Sequence, residues 1–322
     1  VESLAKEYSI SPGINYLNHA SIGAIAKPVQ QARTELLQLC ETNPWSHIWG
    51  EAWTKRLNSA RKTFANLLGC GVDETVITHN TTQMFNTLAN GLPLESKDEV
   101  LFSTLCHSGA SIPFLFRAKQ GKYQARRFEF PVDLLPDITA EQVVDAYAKE
   151  IKPNTRLLVF SHIDNTIGLR SPVKAMAEMA RDRGIEFIAV DAAQTAGMIP
   201  VNCAEMDVDV LATSGHKWLG GPKGTGLAFV SKRIHDQLQP MWVTWGQARW
   251  SNSARKYEDY GTRNLPEVLA LEAAIGYLSE IDPAERESRL KELWAFARNL
   301  VARNDRLVWN SPNDWGMSGS LY

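Results

Sequence analysis

The sequence predicts an α/β protein with a mostly parallel, doubly wound sheet, and two observations lead to that class. Short apolar runs typical of buried strands alternate along the chain with segments of helical periodicity. The two clearest runs, at residues 187–190 and 208–212, end abruptly in polar residues. Because functional groups of open α/β sheets gather at the carboxyl ends of strands, a site is expected at these two ends.

Each predicted element follows from a local pattern. The first six alternate in type: a strand at 76–79, a helix at 82–91, a strand at 99–103, a helix at 108–120, a strand at 156–162 and a helix at 171–183. The last of these helices has Pro172 in its first turn and Gly184 at its end, which favour a helix start and a helix stop. A polar loop at 164–168 precedes it.

The second half of the chain supplies two further strands, which end near Asp191 and shortly before Lys217. Residues 225–231 form another apolar run, which we expect to return as an antiparallel strand. From residue 265 onward the pattern is helical, over 267–280 and 283–303.

The composition gives no sign of a nucleic-acid or membrane partner. Charged residues make up 22% of the chain, and both signs are interspersed to a net charge of −2. No apolar run approaches the roughly 18–20 residues of a membrane span. Cys40, Cys70, Cys106 and Cys203 lie far apart without a CxxC pair, so we expect reduced thiols, a cytoplasmic protein and no metal site.

Asp191 and Lys217 form the most informative pair in the sequence. On two neighbouring strand ends, an acid and an amine can converge on one small molecule. Pyridoxal phosphate (PLP) chemistry needs this pair: a lysine amine forms a Schiff base with the cofactor, and a carboxylate keeps the pyridinium nitrogen protonated. Taken alone, each residue also fits a solvated charge at the start of a loop.

The segment around the lysine makes the PLP interpretation specific. Ser214-Gly-His216-Lys217 is followed by Gly220-Gly-Pro-Lys-Gly-Thr-Gly226, and such glycine density lets backbone approach a ligand closely. The run lacks the Gly-Lys-Ser/Thr of a P-loop. Together with Asp191-Ala-Ala-Gln194, this order of residues resembles class V aminotransferase-family enzymes, the fold type I branch of PLP enzymes that contains cysteine desulfurases and isopenicillin N epimerases. The resemblance implies that Lys217 and Asp191 are catalytic.

Residues 78–82 predict a phosphate site. They read as a strand end, a polar turn and a helix start, where free backbone N–H groups and the helix dipole attract anions. The same residues would also serve as a simple helix cap. The resemblance places the cofactor phosphate on Thr81 and Thr82, with Ser214 and His216 as further donors.

The resemblance implies three more cofactor contacts. In similar enzymes a histidine at the place of His107 stacks on the pyridine ring and assists proton transfer, a role suited to a group that titrates near neutrality. Those enzymes often carry an acid just before it, where this chain has Cys106. Asn165 would contact the ring hydroxyl or the substrate carboxylate, and Gln194 the same ring oxygen. A turn cap is the structural alternative for both amides.

The turn Gly261-Thr262-Arg263-Asn264 implies a homodimer. It resembles a family turn that crosses a twofold interface, so Thr262 would touch the phosphate bound by the partner subunit and the active sites would be shared. This turn and the segment Tyr16-Leu-Asn18-His-Ala-Ser-Ile-Gly23 are more similar to isopenicillin N epimerase-like members than to typical desulfurases.

The preferred hypothesis is a PLP-dependent enzyme that acts at Cα of an amino acid substrate, most similar to epimerases or racemases. Lys217 would remove the Cα proton. Reprotonation, elimination or persulfide transfer would give an epimerase, a C–S lyase or a cysteine desulfurase, and an aminotransferase is a further alternative; the residues do not decide among them. A degenerate, inactive PLP-binding protein would have lost Lys217 or Asp191, and both are present.

The resemblance also divides the chain. Residues 1–30 would contribute to a small domain and to the active-site rim, 31–282 would form the large PLP-binding domain, and 283–322 would begin a small C-terminal domain. Residues 319–322 look like the first strand of a further unit, so we expect a truncated domain, with the family's carboxylate-binding arginine beyond it. Separately, Trp45, Trp49 and Trp53 recur at the spacing of one helix face, which predicts a core or interface stripe.

Overall fold

The fold is α/β, as the alternation of apolar runs predicts. The structure is a computed structural model that describes residues 2–321. Within that range seven strands form one sheet in the order β1-β7-β6-β5-β4-β2-β3. The strands are β1 (Thr75–Thr78), β2 (Glu99–Ser103), β3 (Gln124–Phe128), β4 (Thr155–Ser161), β5 (Phe187–Asp191), β6 (Val210–Ser214) and β7 (Gly226–Val230). Only β7 runs against its neighbours β1 and β6, which confirms the expected antiparallel return.

Helices cover both faces of this sheet. They are α1 (Glu2–Ala5), α2 (Lys27–Thr42), α3 (Pro44–Ile48), α4 (Thr54–Leu68), α5 (Thr81–Gly91), α6 (Ser108–Lys119), α7 (Ala140–Ala148), α8 (Val173–Asp182), α9 (Cys203–Met206), α10 (Gly246–Arg249), α11 (Leu265–Leu278) and α12 (Pro283–Val301). None of the helices in the described range is long and apolar enough to cross a membrane.

The central strands are buried on both sides because alternate side chains enter two separate cores. Leu158 and Phe160 of β4 pack into one apolar cluster, while Leu157 and Val159 pack into the other. Such strands read as continuous apolar runs, and this explains why β4, β5 and β6 are visible in the sequence.

Two local features differ from the sequence patterns. The edge strand β3 escapes prediction because Arg126 and Arg127 interrupt its apolar character. The prediction that Trp45, Trp49 and Trp53 share one helix face is wrong, because helix α3 ends at Ile48 and α4 begins only at Thr54. Trp53 is buried at 1% exposure ahead of α4, whereas Trp45 and Trp49 are 74% and 58% exposed.

The last described residues pack back onto the body of the protein. Ser318 forms an antiparallel bridge with Leu169, and the amide of Gly319 donates to the carbonyl of Gly168 at 2.9 Å. Residues 319–321 form no strand, and residue 322 lies outside the described residues. The division into 1–30, 31–282 and 283–322 stays a prediction.

Candidate active site

A cavity of about 420 Å³ opens at the carboxyl ends of the parallel strands. Its position follows from the topology, since β1, β2, β4, β5 and β6 all end at this edge. The lining consists of Asn18, Ala20, Ser21, Asn80, Thr81, Thr82, His107, Gly109, Asn165, Asp191, Ala193, Gln194, Ser214, His216 and Lys217. All of the residues predicted from the sequence except Thr262 therefore lie around one space.

Asp191 is the last residue of β5 and is 4% exposed. Its Oδ1 accepts the amide of Ala193 at 2.9 Å, and no hydrogen bond within residues 2–321 engages Oδ2. Burial raises the pKa of Asp191, because desolvation outweighs the Ala193 amide and the positive charges of Lys217 and His107. A cation brought into the cavity would stabilise the carboxylate form.

Lys217 follows the end of β6 and belongs to a loop that the N-terminal segment holds in place. The amide of Gly23 donates to the carbonyl of His216 at 2.7 Å, and a Cβ on Gly23 would lie 2.0 Å from the carbonyl oxygen of Lys217. Only glycine permits that approach. Burial lowers the pKa of Lys217 although Asp191 opposes the shift, so the amine loses its proton more readily than a surface lysine.

The turn before α5 presents a helix N-terminus to the cavity. The side chain of Asn80 caps the helix by accepting the amide of Gln83 at 2.9 Å. The hydroxyls of Thr81 and Ser214 lie 2.9 Å apart and join α5 to the end of β6. Thr82 lines the same space, so backbone amides and three hydroxyls converge where the sequence predicts a phosphate.

Two histidines at the cavity carry their protons differently. Nδ1 of His107 accepts the amide of Gly109 at 3.0 Å, so the neutral ring holds its proton on Nε2. Nδ1 of His216 lies 3.2 Å from the carbonyl of Thr225, which can only accept, so this nitrogen carries the proton of the neutral ring. His216 therefore donates through Nε2 only as an imidazolium, and burial lowers the pKa of that ring.

Asn165 projects from a loop that the buried Asp164 fixes. Oδ1 of Asp164 accepts the amides of Thr166 and Ile167 at 2.7 and 3.0 Å, and Oδ2 accepts that of Leu169 at 2.7 Å. The sequence pattern marks this loop as polar but does not single out Asp164. The signal that could have identified it is an Asp at the start of a short polar loop, where the carboxylate can accept the backbone amides of the residues that follow.

Gln194 is more constrained than the sequence suggests. Its Oε1 accepts the indole N–H of Trp218 at 2.7 Å, and its Nε2 donates to the carbonyl of Ala20 at 3.0 Å. The amide therefore ties the N-terminal segment to the lysine loop and keeps one N–H for another acceptor. Asn18 and Ser21 of that segment also line the cavity. The sequence indicates the segment as a rim but does not single out these residues.

Thr262 does not reach this cavity. It lines a second cavity with Arg255 and Trp250, on the side of the molecule that carries Trp49. No residue of one cavity's lining belongs to that of the other. The role of Thr262 at a partner's phosphate stays a prediction.

The residues of the first cavity fit PLP. A buried carboxylate with one oxygen not hydrogen-bonded suits a protonated ring nitrogen, a lysine amine with a lowered pKa suits the aldehyde, and the N-terminus of α5 suits the phosphate. Each of these groups lines the same space.

Comparison with known sequences identifies relatives in the family that the sequence motifs resemble. The family model for class V aminotransferases matches residues 15–316. Isopenicillin N epimerase of Amycolatopsis lactamdurans is 28% identical over 331 residues, which cover 98% of this chain and 82% of the epimerase. A probable cysteine desulfurase of Methanothermobacter thermautotrophicus is 29% identical over 279 residues, which cover 83% of this chain and 67% of the relative.

Solved structures share the fold. A cysteine desulfurase from Thermococcus onnurineus NA1 superposes with a TM-score of 0.84 at 22% identity, covering 99% of this chain and 80% of its own. A mutant of the cystine C-S lyase C-DES, with glycine covalently linked to its PLP cofactor, superposes with a TM-score of 0.82 at 22% identity, covering 92% and 80%.

Proposed function

The chain belongs to the class V aminotransferase family of PLP-dependent enzymes, and from that premise we propose that it acts at Cα of an amino acid as an epimerase or racemase. PLP, when bound, withdraws electrons from the substrate and so acidifies the Cα–H bond. The residues around the cavity would then remove and return this proton.

Lys217 and Asp191 have complementary roles in this proposal. Nζ of Lys217 would hold the cofactor and would take the Cα proton of the substrate, a role for which its lowered pKa is suited. Asp191 keeps its Oδ2 as the partner of the ring nitrogen. Thr81, Thr82, Ser214 and His216 line the space proposed for the phosphate, and Asn165 and the remaining N–H of Gln194 would bind polar groups of the ring or the substrate.

The observation that carries the choice of epimerisation is that Lys217 and His107, neither of which is assigned to the phosphate or to the ring nitrogen, line the same cavity. Inversion at Cα requires that a proton leaves one face and another returns to the opposite face. Nζ of Lys217 and Nε2 of His107 are the two groups suited to this exchange. None of the four cysteines, all within the described residues, lines the cavity, and burial raises the pKa of Cys106, the thiol nearest in sequence to His107.

The proposed enzyme is a homodimer with shared sites. Thr262 lies outside the cavity that would hold the cofactor of its own chain, and the cavity that it lines includes the exposed Trp49. Trp45, Trp49 and Trp245 are 74%, 58% and 92% exposed, a pattern typical of an interaction surface.

The test is to incubate the PLP-loaded protein with single enantiomers of amino acids in D2O. Inversion with uptake of one deuterium at Cα, followed by chiral chromatography and NMR, is the expected result. Sulfide, keto acids and ammonia are measured in the same samples. Release of sulfide from cysteine, or of a keto acid, without inversion of any substrate would replace the epimerase proposal with a desulfurase, a lyase or an aminotransferase.

A further inference from the structure

A third cavity adjoins the loop 258–264, which carries the exposed Thr262. This cavity has a volume of about 220 Å³, and its lining includes His79, directly after β1, together with Tyr260 and Arg263 of the loop. A side chain that borders empty space lacks packing contacts on that side. The position of Thr262 therefore depends on the individual polar contacts that tie the loop to the end of β1.

Tyr260 makes one of these contacts. Its hydroxyl lies 2.6 Å from Nε2 of His79 and forms a hydrogen bond with it, and the two rings pack with their centroids 4.8 Å apart. Burial raises the pKa of Tyr260 although the charge of Arg263 opposes the shift, so the phenol keeps its proton at neutral pH. A neutral phenol can donate to His79 or accept from it.

His79 is a rigid partner because the start of α5 fixes its backbone. The amide of His79 donates to Oε1 of Gln83 at 2.7 Å, and the side chain of Asn80 accepts the amide of Gln83 at 2.9 Å. This reciprocal pair closes the first turn of the helix. The turn that presents Thr81 and Thr82 to the first cavity therefore also holds the ring that Tyr260 contacts.

Arg263 anchors the other side of Thr262. Its Nη1 donates to Oε1 of the buried Glu258 at 3.1 Å, and the second oxygen of that carboxylate accepts a backbone amide of β1 at 2.9 Å. Gly261, between Tyr260 and Thr262, has a φ of +101°, in the region that favours glycine. Since a glycine restricts the backbone little, the anchors on either side determine the position of Thr262.

We propose that Tyr260 is a positioning residue, whose hydrogen bond to His79 holds the turn at 261–264 so that Thr262 meets the cofactor phosphate of the partner subunit. This role rests on the homodimer with shared sites proposed above. Tyr260 does not line the first cavity, so it acts through Thr262. Each chain thereby ties the turn at its own phosphate to the turn that serves its partner.

The first measurement compares the binding of PLP with that of pyridoxal, which lacks the phosphate. Tyr260→Phe keeps the ring and removes the hydroxyl, so it should weaken PLP binding about three- to tenfold and leave pyridoxal binding unchanged. Tyr123→Phe is the matched control, because it removes a buried hydroxyl that donates to the carbonyl of Ala89 at 3.0 Å, near the far end of α5. It should leave the ratio of the two affinities as in the wild type.

The second measurement combines Tyr260→Phe with Thr262→Ala. Once the hydroxyl of Thr262 is absent, its position has no effect, so the double variant should bind PLP as Thr262→Ala does. On the other side of the contact, His79→Gln places a hydrogen-bonding group the same number of bonds from Cα. It should keep more of the PLP affinity than His79→Leu, which cannot hydrogen-bond.

The third measurement mixes Tyr260→Phe with an excess of Lys217→Ala under conditions that exchange subunits. Every active site then uses Lys217 of a Tyr260→Phe chain, and in a heterodimer it receives the turn of a chain that retains Tyr260. The PLP concentration that gives half of the maximal activity should therefore return to the value of wild type mixed with the same excess.

The outcomes distinguish the role of Tyr260 from the shared site. An unchanged ratio of PLP to pyridoxal affinity in Thr262→Ala would overturn the shared site, and the role of Tyr260 with it. A changed ratio in Thr262→Ala but not in Tyr260→Phe, or additive losses in the double variant, would overturn the role of Tyr260 alone. So would a half-saturating PLP concentration that stays high in the mixture, since Tyr260 would then act on the site of its own chain.

Discussion

The two ends of the sheet carry buried acids of the same kind in opposite surroundings. At the amino ends, Asp98 and Glu99 precede or begin β2 and are paired with Arg156 and Arg126 at 2.8 and 2.9 Å. Burial alone would raise their pKa, but hydrogen bonds and arginine charges outweigh it and the pKa of each is lowered. At the carboxyl end, Asp191 has no arginine partner within the described chain, and burial raises its pKa.

The difference indicates which charges serve the fold and which serve a ligand. An acid whose partners come from the same chain stabilises the native state without any ligand. An acid that is buried without such a partner is costly in the folded protein and becomes favourable only when a cation binds.

Lys217→Ala should abolish activity, with a loss of about 10³-fold or more, because it removes both the covalent hold on the cofactor and the base. Borohydride reduction of the PLP-loaded wild type, followed by peptide mapping, should find the pyridoxyl group on Lys217. Lys223→Ala is the control: this lysine lies on the same loop and has a lowered pKa, but its Nζ donates to the carbonyl of Gly23. Recovery of the label on Lys223 would exchange the two assignments.

Asp191→Asn should reduce turnover by about 10²–10³-fold, since an amide cannot hold the ring nitrogen protonated. Without cofactor, it should unfold at the same temperature as the wild type or higher. Asp209→Asn is the opposite case at the amino end of β6, where the acid pairs with Arg181 and Arg233 at 2.7 and 2.9 Å. It should lose up to about 3 kcal/mol of unfolding free energy and keep its turnover per folded molecule. Equal losses of stability in the two variants would contradict the division between the ends.

The sequence predicts the carboxyl end better than the amino end, for a physical reason. Strands buried on both faces are continuous apolar runs, so the polar residue that stops each run, such as Asp191, is visible without a structure. Ion pairs such as Arg126 with Glu99 join residues that are distant along the chain, and no local pattern marks them. The hydrogen bonds that hold the site together are also not predictable from the sequence, because that of Trp218 with Gln194 and that of Gln194 with Ala20 depend on tertiary packing.

The residues that line the cavity at Arg255 are even harder to predict from the sequence. Its walls come from loops, and loop residues carry neither the period of a helix nor that of a strand. Thr262 is identifiable from the sequence only through resemblance to a family turn. Arg255 has no such signal, and its stacking on the ring of Trp250 is evident only from the structure.

Thr262→Ala should weaken PLP affinity by about tenfold to a hundredfold while leaving monomer folding intact, if its hydroxyl contacts the partner's phosphate. Mixing Thr262→Ala with Lys217→Ala at limiting cofactor gives the sharper result. In a heterodimer with shared sites, one site carries both defects and the other carries neither, so activity should partly return. No recovery in mixtures that demonstrably exchange subunits would mean that each site is built within one chain.

Glu99→Gln should give the smallest effect, a loss of about 1 kcal/mol of unfolding free energy at neutral pH, because one oxygen of Glu99 accepts both Arg126 and Thr155 and the amide oxygen can keep both bonds. The sign of its pH dependence is the informative part. The pKa of Glu99 is lower in the folded protein, so its contribution is present above the unfolded pKa of about 4 and is lost as the pH falls through the folded value. Denaturant unfolding from pH 7 to pH 3 should therefore show the unfolding free energies of the variant and the wild type converging in acid.

Asp191→Asn should show the opposite pH dependence. Since the folded pKa of Asp191 is raised, the wild type without cofactor loses stability relative to Asp191→Asn as the pH rises above about 4. If the unfolding free energy of each variant differs from that of the wild type by the same amount at every pH, the two ends of the sheet do not shift the pKa of a buried acid in opposite directions.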